Sequence, residues 1–139
     1  MMFYFRHVNR LTYPQKHVLI CEDDLTNQKN ILEHFLQIFD PQGLVQFTVV
    51  PGALMAAAII MQCNVDLILL DHDMPQGNGT DFLNWLKTSG KTIPVITFSG
   101  ISENNTHMMG LGAHHQFGKQ EVILGKADSL IKRLLQVDM

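Results

Sequence analysis

The sequence predicts an α/β domain with a doubly wound parallel sheet, on three observations. Short apolar runs recur along the chain, Val18-Leu19-Ile20-Cys21 and Leu67-Ile68-Leu69-Leu70 being the cleanest, and runs without polar alternation are strands covered on both faces. Segments with helical spacing of apolar residues lie between them. This alternation of strand and helix repeats five times, and parallel strands need such crossover connections.

At 139 residues the chain is long enough to bury one core without disulfide or metal support. Its 46% hydrophobic and 17% charged residues are those of a soluble globular domain. A formal net charge of -3 provides no footprint for nucleic acid, so direct nucleic-acid binding is not expected. The longest apolar run, Ala53 to Met61, is about half of the roughly 20 residues a membrane helix needs. No membrane association is expected either. Met1 to His7 lacks the apolar core and cleavage site of a secretory signal. Cys21 and Cys63 read as reduced thiols, which points to a cytoplasmic location.

Residues 1–15 mix aromatics with Arg6, His7 and Arg10 and show no period, so they read as an N-terminal extension to a domain spanning 16–139. The first strand, Val18 to Cys21, stops at Glu22-Asp23-Asp24. Ile31, Leu32, Phe35, Leu36 and Phe39 then fall on one helix face, which closes before Pro41-Gln42-Gly43. Val45 to Val50 is β-branched and aromatic, hence a strand, and Pro51-Gly52 turns it into the apolar helix Ala53 to Gln62. The central strand, Asp66 to Leu70, ends on Asp71-His72-Asp73-Met74-Pro75, and a helix follows over Thr80 to Lys87, ended by Gly90. Pro94 to Phe98 is the fourth strand, leading into Ser99-Gly100. Ser102 to Leu111 reads as a weak helix, since Asn104, Asn105, Thr106 and Gly110 are poor helix formers. His115 to Gly118 is a short fifth strand before Lys119. A single last helix is expected over about Val122 to Gln136, with Ile123, Ala127, Leu130, Ile131 and Leu134 on its inner face.

The chemistry lies in where the polar residues fall. Glu22 and Asp23 follow the first strand, Asp71 and Asp73 the third, Ser99 the fourth and Lys119 the fifth. In the flavodoxin-like order 2-1-3-4-5, strands one and three are neighbours at the switch point, where open α/β sheets bind ligands. That order brings Glu22, Asp23 and Asp71 together, and carboxylates so close repel unless one is protonated or a cation joins them. An all-oxygen donor set in an open crevice suits Mg²⁺. With Ser99 and Lys119 arriving from the other side, the edge reads as a phosphoryl site in which Asp71 is the nucleophile.

These residues resemble the receiver domain of two-component response regulators, of the single-domain type. The acid pair matches Glu22-Asp23, the phosphoacceptor Asp71, and the trailing Met-Pro-x-x-x-Gly matches Met74-Pro75 through Gly79. Ser99 matches the family's Ser/Thr, and Gly112-Ala113 precedes the matching Lys119. The match covers roughly residues 17–137. The resemblance implies Mg²⁺-dependent phosphoryl transfer to Asp71 from a histidine kinase, a phosphotransfer protein or a small phosphodonor. It also implies a response on the face of the fourth helix, fifth strand and fifth helix, read by a separate downstream protein in a phosphorelay or as an adaptor. Such a domain is a phosphoacceptor signalling module rather than an enzyme acting on other substrates.

Some positions depart from that family. Receivers usually follow the lysine with proline in a cis peptide, and here the residue is Gln120. Either the bond is cis at a cost, or it is trans and Lys119 is aimed differently. Three residues before the lysine, Gln116 stands where the family has Tyr or Phe, which removes an aromatic switch. His72 and Asp73 border the site as modulating positions, Asp73 by adding negative charge.

Simpler readings accompany several of these residues. Asp24 reads as a helix cap rather than a metal ligand. Ser99 alone would be a turn residue and Lys119 alone a solvated lysine. The seven histidines lack zinc-ligand spacing, and Met108 and Met109 read as one core and one surface residue. The competing functions are a receiver-like interaction module that no longer uses phosphorylation and, through Asp71-His72-Asp73, a haloacid-dehalogenase-like phosphatase. The latter pair normally follows a first strand, whereas here two strands come first.

Overall fold

A computed structural model describes residues 15–39 and 43–137. All but Gln15 of the expected N-terminal extension lies outside the described residues. The elements run β1 (Lys16–Cys21), α1 (Leu25–Phe39), β2 (Val45–Val50), α2 (Ala53–Gln62), β3 (Leu67–Leu70), α3 (Gly79–Ser89), β4 (Val95–Thr97), α4 (Ser102–Gly110), β5 (His115–Gln116), α5 (Lys119–Ile123) and α6 (Asp128–Leu135). The strands form one five-stranded sheet in the order β2-β1-β3-β4-β5, parallel throughout. This is the predicted flavodoxin-like doubly wound fold. None of the described helices is long and apolar enough to cross a membrane.

Successive strand residues point to opposite faces, so the continuous apolar runs feed two cores. Val18, Ile20, Phe47, Leu67, Leu69 and Ile96 pack on one face with Phe35 of α1 and Ile131 of α6. Leu19, Cys21, Ile68, Leu70 and Val95 pack on the other with Ile60, Phe82 and Met108 from α2, α3 and α4. Phe35 and Phe47 stack at 5.6 Å between ring centroids, locking α1 onto β2. At the amino edge of the sheet a polar clasp closes the fold. The His17 ring is buried, with Nε2 2.7 Å from Thr48 Oγ1 and Nδ1 3.0 Å from the Asn64 carbonyl. A carbonyl only accepts, so Nδ1 carries the proton and bare Nε2 accepts from Thr48.

Local signals set most helix ends. Asn78 caps α3 in a reciprocal box with Asp81, its Oδ1 accepting from Asp81 N–H at 2.9 Å, and Gly90 ends the helix with φ 75°. Asp24 Oδ1 accepts from Asn27 N–H at 2.9 Å, the cap expected of it. As expected, α4 is thinly anchored: it has no side-chain cap, and its buried residues are Asn105 and Met108. Met109 is half-buried against the core, so it is less of a surface residue than its pairing with Met108 suggested.

The single last helix expected over Val122 to Gln136 is corrected to two short ones. Gly125, at φ 87°, breaks the segment, and a Cβ there would lie 2.9 Å from Asp128 Oδ2 and 3.1 Å from His34 Cε1. The break resets the helical phase, so Val122, Ala127, Ile131 and Leu135 are the fully buried residues, while Ile123, Leu130 and Leu134 are partly buried. Across it the His34 ring reaches Asp128, Nε2 to Oδ1 at 2.8 Å, and pins α1 to the start of α6.

Candidate functional site

Every residue of the predicted constellation sits just past a strand end, and backbone bonds continue the sheet far enough to place it. Glu22 N–H donates to the Val50 carbonyl at 3.0 Å, Asp71 N–H to Cys21 at 3.1 Å, and Phe98 N–H to Leu70 at 3.0 Å. Glu22 and Asp71 are therefore held on neighbouring strands by the sheet rather than by loops. Carboxylate oxygens of Glu22, Asp23 and Asp71 come within 4.8 Å of one another. Glu22 is fully buried, Asp71 is 4% exposed and Asp23 is half-buried.

Lys119 closes the cluster. Its Nζ lies 2.8 Å from Glu22 Oε1 and 3.0 Å from Asp71 Oδ2, and 5.8 Å from the centroid of the Phe98 ring. All peptide bonds among the described residues are trans. The question posed by Gln120 is thus answered for direction: with a trans bond, Lys119 still points into the acids. It does so from the first position of α5, whose Gly118 N–H is capped by Glu121 Oε1 at 2.7 Å.

The electrostatics follow from burial. Desolvation pushes the Glu22 carboxyl up to about 7, against the opposing pull of the Lys119 ammonium and with the charge of Asp71 adding to the rise. Burial alone would lower the ammonium of Lys119, but its bonds to Glu22 and Asp71 outweigh that and hold it above its ordinary value. Burial, with the charges of Asp71 and Glu22, also drives the Cys21 thiol upward, so it is an inert core group. One ammonium facing two buried carboxylates and a half-buried third leaves the pocket short of positive charge. Three carboxylates with no nitrogen or sulfur donor form a hard-oxygen set, and Mg²⁺ fits it.

Ser99 sits at the end of β4 and is 3% exposed. Its Oγ accepts from Ile101 N–H at 3.1 Å, which orients the hydroxyl and leaves its own proton to donate. His72 and Asp73 pair with each other, Nδ1 to Oδ1 at 2.8 Å, with Thr80 Oγ1 3.3 Å from Nε2 of the same ring. Asp73 is exposed, and Gln116 is an exposed residue of β5 rather than an inward one.

Two neighbours of the site hold structural roles that the sequence reading did not assign to them. Asn105, taken only as a poor helix former, is 4% exposed and bonds both the Ser99 loop and the Phe117 carbonyl. Gly79, the last residue of the Met-Pro-x-x-x-Gly stretch, packs so closely that a Cβ there would lie 2.8 Å from the Asp71 carbonyl oxygen. A signal for Asn105 was available: it stands three residues before buried Met108, on the same helix face.

Comparison with known proteins agrees with this fold. The response regulator receiver domain family matches residues 18–127. A protein-glutamate methylesterase/protein-glutamine glutaminase from Trichodesmium erythraeum (strain IMS101) is 34% identical over 90 residues, covering 65% of this chain and 25% of that protein. This chain thus spans about a quarter of the length of the curated relatives it matches. The signal receiver domain of a signal transduction histidine kinase from Syntrophus aciditrophicus superposes with a TM-score of 0.67 at 30% identity, over 87% of this chain and 90% of that one. A Thermotoga maritima response regulator in complex with Mg²⁺–BeF shares the fold, with a TM-score of 0.69 at 20% identity over 87% of this chain and all of that one.

Proposed function

This chain belongs to the response regulator receiver domain family of two-component systems, and on that premise we propose that Asp71 is its phosphoacceptor, working with Mg²⁺ held by Glu22, Asp23 and Asp71. The observation that carries this reading is the Lys119 ammonium bridging Glu22 and Asp71 at 2.8 and 3.0 Å, beside a third carboxylate. A chain that had drifted away from phosphoryl chemistry would have little physical reason to keep two carboxylates and an ammonium at a buried sheet edge, where desolvation is costly.

In the transfer step an Asp71 carboxylate oxygen attacks phosphorus. The new P–O bond forms as the bond from phosphorus to the donor's nitrogen or oxygen breaks, and the electron pair leaves with the donor. Mg²⁺, when bound, neutralises charge on the phosphoryl oxygens. Lys119 supplies a second positive charge: as the carboxylate becomes an acyl phosphate, its ammonium follows the negative charge from Asp71 Oδ2 to a phosphoryl oxygen. Ser99 donates its hydroxyl proton to another. Asp73 adds negative charge at the rim and modulates metal affinity or phosphoryl lifetime without being required, with His72 as its tether. Gln116 carries no aromatic ring, so the response has no inward-swinging ring at that position and rests on the Ser99 loop and α4.

Receiver domains work with histidine kinases or phosphotransfer proteins, and we assign the donor to that class. The output is read by a separate protein on the face of α4, β5 and the last helical segment, α5 with α6, as a phosphorelay intermediate or adaptor in the cytoplasm. The domain catalyses only its own phosphorylation and dephosphorylation, without binding nucleic acid or membrane directly. The methylesterase activity named for the longer relatives belongs to those proteins.

The test is intact mass after incubation with acetyl phosphate, with and without Mg²⁺, on the wild type and on Asp71→Asn. The expected result is a Mg²⁺-dependent phosphoryl adduct absent from the variant. A wild type that forms no adduct and binds no beryllofluoride would overturn the reading in favour of a phosphorylation-independent interaction module.

A further inference from the structure

The loop that carries Ser99 and the loop that leads to Lys119 both lie beyond the last ladder residues of their strands, Thr97 of β4 and Gln116 of β5. Sheet bonds reach one residue further into each loop, Phe98 N–H to the Leu70 carbonyl at 3.0 Å and Phe117 N–H to the Thr97 carbonyl at 2.9 Å, and stop before Ser99 and Gly118. A depression of about 300 Å³, bordered by Ser99, Ser102, Asn105, Gln116, Phe117 and Gly118, opens between the two loops, with Phe117 the one large apolar side chain on its lining. The Asn105 side chain spans it. Its Oδ1 accepts from Ser99 N–H at 2.8 Å, and its Nδ2 donates to the Ser99 carbonyl at 3.1 Å and to the Phe117 carbonyl at 2.9 Å. Both main-chain polar groups of Ser99 are thereby tied to one amide, and that amide is tied to the residue two before Lys119.

We propose that Asn105 is a positioning residue for phosphoryl transfer, an amide staple that keeps the Ser99 hydroxyl in register with the Lys119 ammonium from its seat on α4. The inference rests on the reading of Asp71 as phosphoacceptor. The physical argument is that of pre-organisation. Ser99 and Lys119 act on the same small anion, and a misplacement of about 1 Å in such a group can slow a reaction by about 100-fold. An asparagine is well suited to this span, because it accepts once and donates twice from one planar group. A buried asparagine on an otherwise thinly anchored helix weakens helix propensity and has no apolar payoff. Its position is explained by these bonds. They also make α4 mechanically continuous with the site, since a helix shift that moves Asn105 must drag Ser99 with it.

The experiment measures the rate of phosphorylation by acetyl phosphate at saturating Mg²⁺, by intact mass. It compares the wild type, Asn105→Leu, Asn105→Asp, Ser99→Ala, the double variant Ser99→Ala/Asn105→Leu, and Leu135→Ala as a remote variant that loosens the other core. Asn105→Leu is expected to slow the rate about 10-fold or more, and Asn105→Asp, which loses both donated bonds, to slow it as well. In the Ser99→Ala background the further loss is expected to shrink to about twofold, because the staple acts through the hydroxyl it places. Leu135→Ala is expected to lower the melting temperature with little change in rate. If Asn105→Leu does not fold, Asn105→Asp carries the same comparison against Ser99→Ala/Asn105→Asp. A rate within about twofold of wild type for either folded Asn105 variant, or an equal slowing with and without Ser99, would overturn the inference while leaving Asp71 as the phosphoacceptor. Failure of the wild type itself to react would instead remove the underlying reading and this inference with it.

Discussion

Replacing Gly79 with alanine tests whether the packing of α3 against the end of β3 positions the phosphoacceptor. A Cβ at residue 79 would lie 2.5 Å from Met108 Sδ, 2.8 Å from the Asp71 carbonyl oxygen and 3.2 Å from His72 Cα. The sulfur ends a flexible side chain and can swing away. The other two atoms cannot, because Asp71 N–H is bonded to Cys21 at 3.1 Å and Gly79 N–H to the His72 carbonyl at 2.9 Å. The start of α3 must then back off by roughly 0.7 Å to bring the 2.8 Å approach to the Asp71 carbonyl oxygen out to an ordinary contact of about 3.5 Å. Overpacking of this kind costs about 1–3 kcal/mol. At about 4 °C per kcal/mol for a domain of this size, the melting temperature should fall by about 4–12 °C. The shift acts on the Asp71–His72 backbone, so the acetyl phosphate reaction should also slow by about 10-fold. Gly110→Ala is the matched comparison: its Cβ meets nothing within 4 Å at the end of α4, and it should raise stability by about 0.5–1 kcal/mol. Thermal unfolding by circular dichroism and intact-mass kinetics read both quantities. A Gly79→Ala protein that melts within about 1 °C of wild type and reacts at the wild-type rate would refute the reasoning.

Mg²⁺ in excess over a chelator should raise the melting temperature, by about 1.4 kcal/mol of stabilisation at ten times its dissociation constant, and Asp23→Asn should lose most of that rise in the same scan. Burial holds the His17 ring below its usual value of 6.5, with its bond to Asn64 and the charge of Asp66 opposing. The unfolded chain therefore binds the proton first, so the stability from His17 is fully present above about pH 6.5 and is lost as pH falls from there through the folded value. Urea unfolding between pH 7.5 and pH 5.5 should show a shallower loss for His17→Asn than for wild type, whereas parallel slopes would contradict the assignment. Gly125→Ala puts a side chain at φ 87° against Asp128 and His34, and should cost at least about 1 kcal/mol, measured as a lower urea midpoint with an unchanged slope.

What could be read along the chain was local in origin. The order and type of elements through β5 followed from apolar runs, helical spacing and the turn residues between them. Val45–Val50 and Ala53–Gln62 begin and end at the residues where composition changes. The end of the chain was misread because Gly125 looks unremarkable within an amphipathic pattern. Its role as a break depends on His34 and Asp128, 91 and three residues away in sequence, which meet only when α1 packs against α6. Asn105 was misread for the same kind of reason. A buried amide and a helix-weakening one are the same letter until the loops at 99 and 117 are seen to converge on it.

The sequence by itself determined the strands, the helices that cross between them and the set of polar groups at the carboxyl edge, because continuous hydrophobicity can be satisfied only by burial on both faces and the first polar residue after such a run must emerge at the strand end. Tertiary structure decided how those groups meet. Lys119 reaches Asp71 across 48 residues through a trans peptide, burial raises the Glu22 carboxyl against the pull of Lys119, and Asn105 ties two loops that no local pattern connects. Distances of a few ångströms between residues far apart in sequence set each of these outcomes, and only the packed chain brings those residues together.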